Sequence, residues 1–160
     1  MISAEDLQRV LNLPEPPSEE LMDVYLQFTM IFPRVEQRFF GGFATCGESL
    51  VYAQNLVDAE REIPNELFLN FKQRYLLNND AQDRLSALCY GREKDRQGII
   101  SGLQHEVAED LNTMSTVVKI VIRIRNNLLH GNKDTYLFVD SQEQVKLLRS
   151  CVRFLQGLLN

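Results

Sequence analysis

The run VVKIVIRIRNNLL, residues 117 to 129, constrains the fold of this chain more than any other stretch. On a helical wheel at roughly 100° per residue, Val117, Val121, Ile124 and Leu128 fall within roughly 60° of one another, with Ile120 close by. That is the stripe a helix buries in a bundle core. A second apolar set, Val118, Ile122 and Leu129, lies at roughly 100° to 140° and widens the apolar sector to around 200°. A helix of this kind is covered on two sides: it runs through the middle of its own bundle, or one flank meets a second chain. Arg125 sits at roughly 80°, inside that sector, whereas Arg123, Asn126 and Asn127 fall at roughly 180° to 280° and are expected to face solvent or a groove. Because an unpaired buried charge is very costly, Arg125 needs a partner. The candidates are a core carboxylate, helix-end carbonyls or a phosphate held in bidentate fashion.

The rest of the sequence supplies the covering helices. Ser3 caps a short amphipathic helix over residues 3 to 12, which Pro14, Pro16 and Pro17 stop. Ser18-Glu19-Glu20 then starts a second helix predicted to reach about Phe40, ending at Gly41-Gly42 and kinking at Pro33. Leu21, Tyr25, Phe28, Phe32, Val35 and Phe39 recur along it at the spacing of a buried stripe. Residues 45 to 90 read as shorter helices broken at Ile63-Pro64 and Asn78-Asn79-Asp80. GREKDRQG, residues 91 to 98, reads as a solvated loop whose Arg92, Lys94 and Arg96 are the groups available to lie along a substrate. A long helix is predicted over residues 106 to 130, a short extended piece at TYLFV, and a last helix over Gln142 to about Leu158, entered through Asp140 or Ser141. The expected architecture is one all-α domain, a bundle of four to six helices.

Composition narrows the class. An apolar fraction of 44% with 24% charged residues suits a globular chain and argues against disorder. No segment approaches the roughly 18 consecutive apolar residues of a membrane span, and the acids in MISAEDLQRVLNL stand where a signal peptide carries bases. The expected compartment is the cytoplasm, with no membrane partner. A net charge of −5 is the wrong sign for a protein whose whole surface attracts nucleic acid. It leaves room for a local basic cleft, since charges are screened beyond about 10 Å. The cysteines Cys46, Cys89 and Cys151 form no CxxC pair, so they read as small core residues or bystanders rather than a disulfide framework or zinc site. His105 has no second histidine to complete a metal pair, and Glu106, Glu109 and Asp110 suit a helix N-terminus. Gly41-Gly42 lacks the context of a phosphate loop, and Phe28, Phe32 and Phe39 are expected in the core rather than on a base-stacking surface. No metal and no cofactor are expected.

Past the central helix, His130 is five residues from Arg125, which in an unbroken helix separates the side chains by about 140°. Gly131 is the expected left-handed residue after a helix end, letting the chain turn so that His130 can swing toward Arg125 or toward a neighbouring chain. Lys133 adds a positive group at the same terminus. Asn, His, Gly and Lys are also ordinary helix C-terminal residues, where cations oppose the dipole by about 0.3–1 kcal/mol.

The segment RNNLLHG resembles the motif of the HEPN superfamily, an Arg followed by four to six variable residues and a His, often with a polar residue directly after the Arg. Arg125, the polar Asn126 and His130 match it with four residues between. The setting is similar too: a long apolar helix, a following Gly and one more amphipathic helix. FTMIFPRVEQRFF also resembles the first long helix of bacterial HEPN-like domains, in which an FPR-E type stretch recurs. The resemblance implies a helical bundle that dimerises and brings two such motifs into one cleft. It also implies a metal-independent endoribonuclease of bacterial defence or toxin–antitoxin systems, with RNA as substrate, no DNA expected, and an antitoxin or defence protein as a possible partner. Arg125, His130 and Asn126 become the expected catalytic residues, and Arg123, Asn127 and Lys133 the expected RNA contacts. His130 would move a proton near neutral pH, work worth roughly 10²–10⁴ in rate, while Arg125 stabilises charge on the scissile phosphate. In one HEPN subgroup, paired with a nucleotidyltransferase antitoxin, a Tyr lies two residues after the His. Asn132 stands there, with Tyr136 further along, so that mode of regulation is not expected. Some HEPN domains are non-catalytic dimerisation or ligand-binding modules, which is the alternative implied.

Overall fold

The structure, a computed structural model, describes residues 2–107, 109–129 and 141–160. Among these residues every regular element is helical, as the apolar spacing predicts. The helices are α1 (Ala4–Leu11), α2 (Glu19–Phe39), α3 (Ser49–Asp58), α4 (Asn65–Lys72), α5 (Ala81–Cys89), α6 (Glu93–Leu103), α7 (Asp110–Leu129) and α8 (Ser141–Leu159). A 3-10 turn, Cys46–Glu48, precedes α3, and a π turn, Gln73–Leu77, continues α4. The bundle thus has eight α-helices among the described residues, more than the expected four to six. The excess comes from the region of residues 45 to 103, where α3, α4, α5 and α6 are each only two to three turns long.

The caps act where the sequence places them. At the start of α1, the Ser3 hydroxyl accepts from the Asp6 backbone N–H at 3.1 Å, and the Asp6 carboxylate accepts from the Ser3 N–H at 3.3 Å, a reciprocal capping box. Ser18 accepts from the Leu21 N–H at 3.1 Å, so α2 starts immediately after the proline run. That helix continues through Pro33 and ends at Phe39, and Gly41 and Gly42 (φ 70° and 87°) then turn the chain in a conformation that costs a side chain dearly. Leu21, Val24, Phe28, Phe32 and Val35 are buried along α2, while Tyr25 and Phe39 are only partly covered.

One sequence expectation is corrected at residues 91 to 98. GREKDRQG is not a loop: α6 begins at Glu93 and runs through it. Glu93 and Asp95 occupy its first turn, Arg96 pairs with Glu93 at 3.6 Å, and Arg92 pairs with Asp95 at 3.3 Å. Of the two glycines inside α6, Gly102 is a spacer, while Gly98 faces only the flexible end of a lysine. A Cβ at Gly102 would lie 2.2 Å from Thr116 Oγ1, and one at Gly98 would lie 2.7 Å from Lys119 Nζ, both on α7. Gly102 lets the two helices approach closely, and that gain outweighs its low helix propensity.

The helix α7 occupies the middle. It starts at Asp110 rather than at residue 106, and it packs against α3, α4, α5 and α6, while α2 pairs with α8 on the outside. Met114, Val117, Val118, Ile120, Val121, Ile122, Ile124 and Leu128 are all buried in one continuous core. Of the two arrangements open to a helix with so wide an apolar sector, α7 takes the first, running through its own bundle. Leu129 is the exception within the second apolar set, being 60% exposed at the helix end. The helix α8 buries Val145, Leu148, Cys151, Val152, Leu155 and Leu158 at three- and four-residue steps, as its sequence predicts. No described helix is long and apolar enough to cross a membrane.

Candidate functional site at the end of the central helix

Arg125 finds the carboxylate that its place on the wheel demands. Its Nη1 donates to Glu36 Oε2 at 2.7 Å, its Nη2 to the Ala44 carbonyl at 2.7 Å, and its Nε to Asn126 Oδ1 at 2.8 Å. The guanidinium also stacks over the Phe32 ring, 4.7 Å from its centroid. Glu36 Oε2 accepts a second bond, from the Ala44 N–H at 2.8 Å. One carboxylate oxygen therefore ties the end of α2, the turn at Ala44 and the end of α7 together. Both side chains are 12% exposed, so the pair is desolvated enough to be strong yet borders solvent.

Arg123 and Asn127 require a correction. They were expected on the solvent or groove side, but Arg123 is 4% exposed and Asn127 8%. Arg123 donates through Nε and Nη2 to the Leu88 carbonyl at 3.2 and 3.1 Å, and through Nη2 to the Cys89 carbonyl at 3.4 Å and Asn127 Oδ1 at 3.2 Å. Asn127 Nδ2 donates to the Ala87 and Leu88 carbonyls at 3.2 and 2.9 Å. These are the C-terminal carbonyls of α5, which no intrahelical N–H reaches, so two polar side chains of α7 cap a neighbouring helix. The Arg123 charge is balanced by Asp95 at 3.7 Å. The wheel misplaced these residues because it assigns solvent to whatever is polar, whereas helix ends supply polar partners in the interior.

Arg123, Arg125, Asn126 and Asn127 line a surface cleft of about 610 Å³, together with Phe43, Tyr90, Arg92, Asp95 and Leu129. Asn126 is half-buried there, its Oδ1 committed to Arg125. Phe43, Tyr90 and Leu129 are 75%, 60% and 60% exposed, so apolar side chains stand around a polar floor. His130, Gly131, Asn132, Lys133, Tyr136, the TYLFV segment and the caps expected at Asp140 and the Ser141 side chain lie outside the described residues.

The three cysteines are among the small core residues that the sequence suggests. The cysteines are buried and free, and burial pushes the Cys46 and Cys151 thiols up to about 12 and the Cys89 thiol to about 11. They are packing residues, not nucleophiles. His105 sits before α7, with Nδ1 against a Glu109 carboxylate oxygen. Among the described residues no cluster of His, Cys, Asp and Glu is arranged to hold a metal ion.

Comparison with protein-family models, curated proteins and solved structures found no match. Three residues of the site escaped the sequence reading. Glu36 was visible only as part of the FPR-E stretch, with nothing to pair it with Arg125 across 89 residues. Tyr90 carried one legible signal, a large residue directly before Gly91 at a helix end. Phe43, after Gly41-Gly42, carried none beyond its place in a turn.

Proposed function

We propose that this chain is a metal-independent endoribonuclease of the HEPN type, acting in the cytoplasm as a homodimer in bacterial defence or toxin–antitoxin biology. The observation that carries the reading is that Arg125 and Asn126, the two described members of the Arg-polar-x3-His motif, line one solvent-open cleft at the end of the central helix. In the reaction, the RNA 2′-hydroxyl attacks the adjacent phosphorus. The new 2′-O–P bond forms, the P–O5′ bond breaks, and a 2′,3′-cyclic phosphate and a 5′-hydroxyl result. His130 accepts the 2′-hydroxyl proton, and its counterpart across the dimer protonates the leaving oxygen. A guanidinium has five N–H donors, and three of those on Arg125 are engaged among the described residues, leaving two for phosphate oxygens. Lys133 supplies a further phosphate contact, while Arg123 and Asn127 hold the cleft floor instead of reaching the substrate.

A second reading is a non-catalytic helical dimerisation or ligand-binding module of the same type. It is favoured by one observation: every nitrogen of the Arg125 guanidinium already has a partner within the chain. The two separate in a cleavage assay on single-stranded RNA in chelator-containing buffer. The enzyme reading expects cleavage that His130→Ala and Arg125→Lys abolish without unfolding the protein. RNA left intact by the wild type, or cleaved equally by both variants, removes it, and a dimer equilibrium shifted by His130→Ala then supports the module.

A further inference from the structure

Tyr90 is held in a conformation its side chain does not favour. It follows α5 with φ 44° and ψ 58°, the left-handed region, and Gly91 beside it takes φ 77°. A left-handed residue is usual just after a helix, but the inexpensive choice is glycine, and a bulky side chain there costs of order 1 kcal/mol. The ring is 60% exposed, so its own burial offsets little of that cost.

Phe43 is fixed in a different way with the same result. The residue after it is clamped at both backbone groups, the Ala44 N–H by Glu36 and the Ala44 carbonyl by Arg125. The Thr45 N–H donates to the Tyr52 hydroxyl at 3.1 Å, and that hydroxyl donates to the Phe43 carbonyl at 3.4 Å. The backbone is rigid on the downstream side, yet the ring is 75% exposed. Both rings line the cleft that holds Arg125 and Asn126. Three guanidiniums, of Arg92, Arg123 and Arg125, line it against two carboxylates, Asp95 in the lining and Glu36 paired with Arg125 beside it, which leaves a local excess of one positive charge in a chain whose net charge is −5. Two preorganised exposed aromatics around a locally positive floor match a single strand, whose bases present π-faces and whose phosphates are anionic.

We propose that Phe43 and Tyr90 are base-stacking residues for a single-stranded RNA segment, with Arg92 contacting a phosphate of the same segment. This rests on the nuclease reading for the identity of the ligand as RNA and adds the subsites that select unpaired bases. A duplex keeps its bases stacked on each other and cannot present them to isolated rings.

Binding is measured by fluorescence anisotropy with a short labelled 2′-O-methyl oligoribonucleotide, which has no free 2′-hydroxyl and is not cut by the proposed chemistry, and with the matching blunt duplex. The wild type is expected to prefer the single strand. Phe43→Ala and Tyr90→Gly are each expected to weaken single-strand binding roughly 5- to 100-fold, and Phe43→Trp to preserve it. Tyr90→Gly removes the ring and the left-handed strain together, so the variant folds at least as well as the wild type, and lost binding cannot be ascribed to unfolding. Unchanged affinity in both ring-deleted variants overturns the proposal, as does equal affinity for the duplex or no binding by the wild type. A change in sedimentation with affinity intact makes the two rings a subunit contact and overturns it too. Because the probe is uncleavable, the result is independent of the cleavage assay: ring-dependent binding without cleavage keeps this inference and removes the nuclease, and the converse keeps the nuclease alone.

Discussion

Replacing Glu36 with alanine tests whether the Arg125 site is held together as described. At 2.7 Å and an effective dielectric of 20, the attraction between the two charges is about 6 kcal/mol, from which the desolvation of both ions must be subtracted. Removing one partner of such a pair leaves the other stranded and costs about 3–5 kcal/mol. The Ala44 N–H loses its acceptor in the same change, a loss of about 1 kcal/mol that overlaps with the first. At roughly 2–4 °C per kcal/mol for a chain of this size, Glu36→Ala is expected to melt about 10 °C lower. Urea unfolding followed by far-ultraviolet circular dichroism supplies the free energies, and a cycle with Glu36→Leu, Arg125→Met and the double variant supplies the coupling. The double variant is expected to be more stable than the two single losses added together by about 2–3 kcal/mol, since it strands no charge. A cost below about 1 kcal/mol for Glu36→Ala, or a coupling below about 0.5 kcal/mol, would refute the pairing.

Gly102→Ala is expected to destabilise by about 1–3 kcal/mol, because the new Cβ would sit 2.2 Å from Thr116 Oγ1; the clash exceeds the helix-propensity gain of about 1 kcal/mol. Adding Thr116→Ala should recover part of the loss in calorimetry, and an unchanged melting temperature for the single variant would contradict so close an approach. Arg123→Met removes the guanidinium bonds to the Leu88 and Cys89 carbonyls and to Asn127, while Leu88 keeps its bond from Asn127 and Asp95 keeps Arg92, so a loss of about 1–3 kcal/mol and faster amide exchange in α5 are expected. Cys46, Cys89 and Cys151 should resist an aromatic disulfide reagent at mildly alkaline pH in the native protein and react at once in urea. Their folded pKa values, about 12, 11 and 12, lie above the ordinary 9.0, so above pH 9 the unfolded chain releases protons that the folded chain keeps. Stability is therefore full below about pH 9 and falls as pH rises toward 11 to 12, which alkaline titration of the unfolding free energy will measure.

The outer helices were legible because their signals are local. Ser3, Ser18 and the proline run fix where α1 and α2 begin, and the periodic residues of α2 and α8 fix the faces they bury. The α6 segment was misread because its charges and the glycines at either end, Gly91 and Gly98, are loop signals in isolation, whereas Glu93 and Asp95 with their partners Arg96 and Arg92 start a helix. The site divides in the same way. The need of Arg125 for a partner could be read from the wheel, but its identity, Glu36, depends on how α2 and α7 come together. Arg123 and Asn127 were assigned to the wrong side because the carbonyls they cap belong to another helix, a partner no single-helix projection contains.

The central position of α7 has a consequence for how the chain is made. The helices α3, α4, α5 and α6 pack on a segment that begins only at Asp110, and α2 packs on one that begins at Ser141. At roughly 5–20 residues per second, roughly 4 to 14 s pass between the end of α3 and the end of α7, and until then Ala53 and Leu56 of α3 lack the surface that covers them in the finished bundle. Folding is therefore deferred until most of the chain has emerged, with apolar helix faces open to association through that interval. Termination before α7 is expected to yield a fragment with its apolar faces uncovered, not a smaller domain.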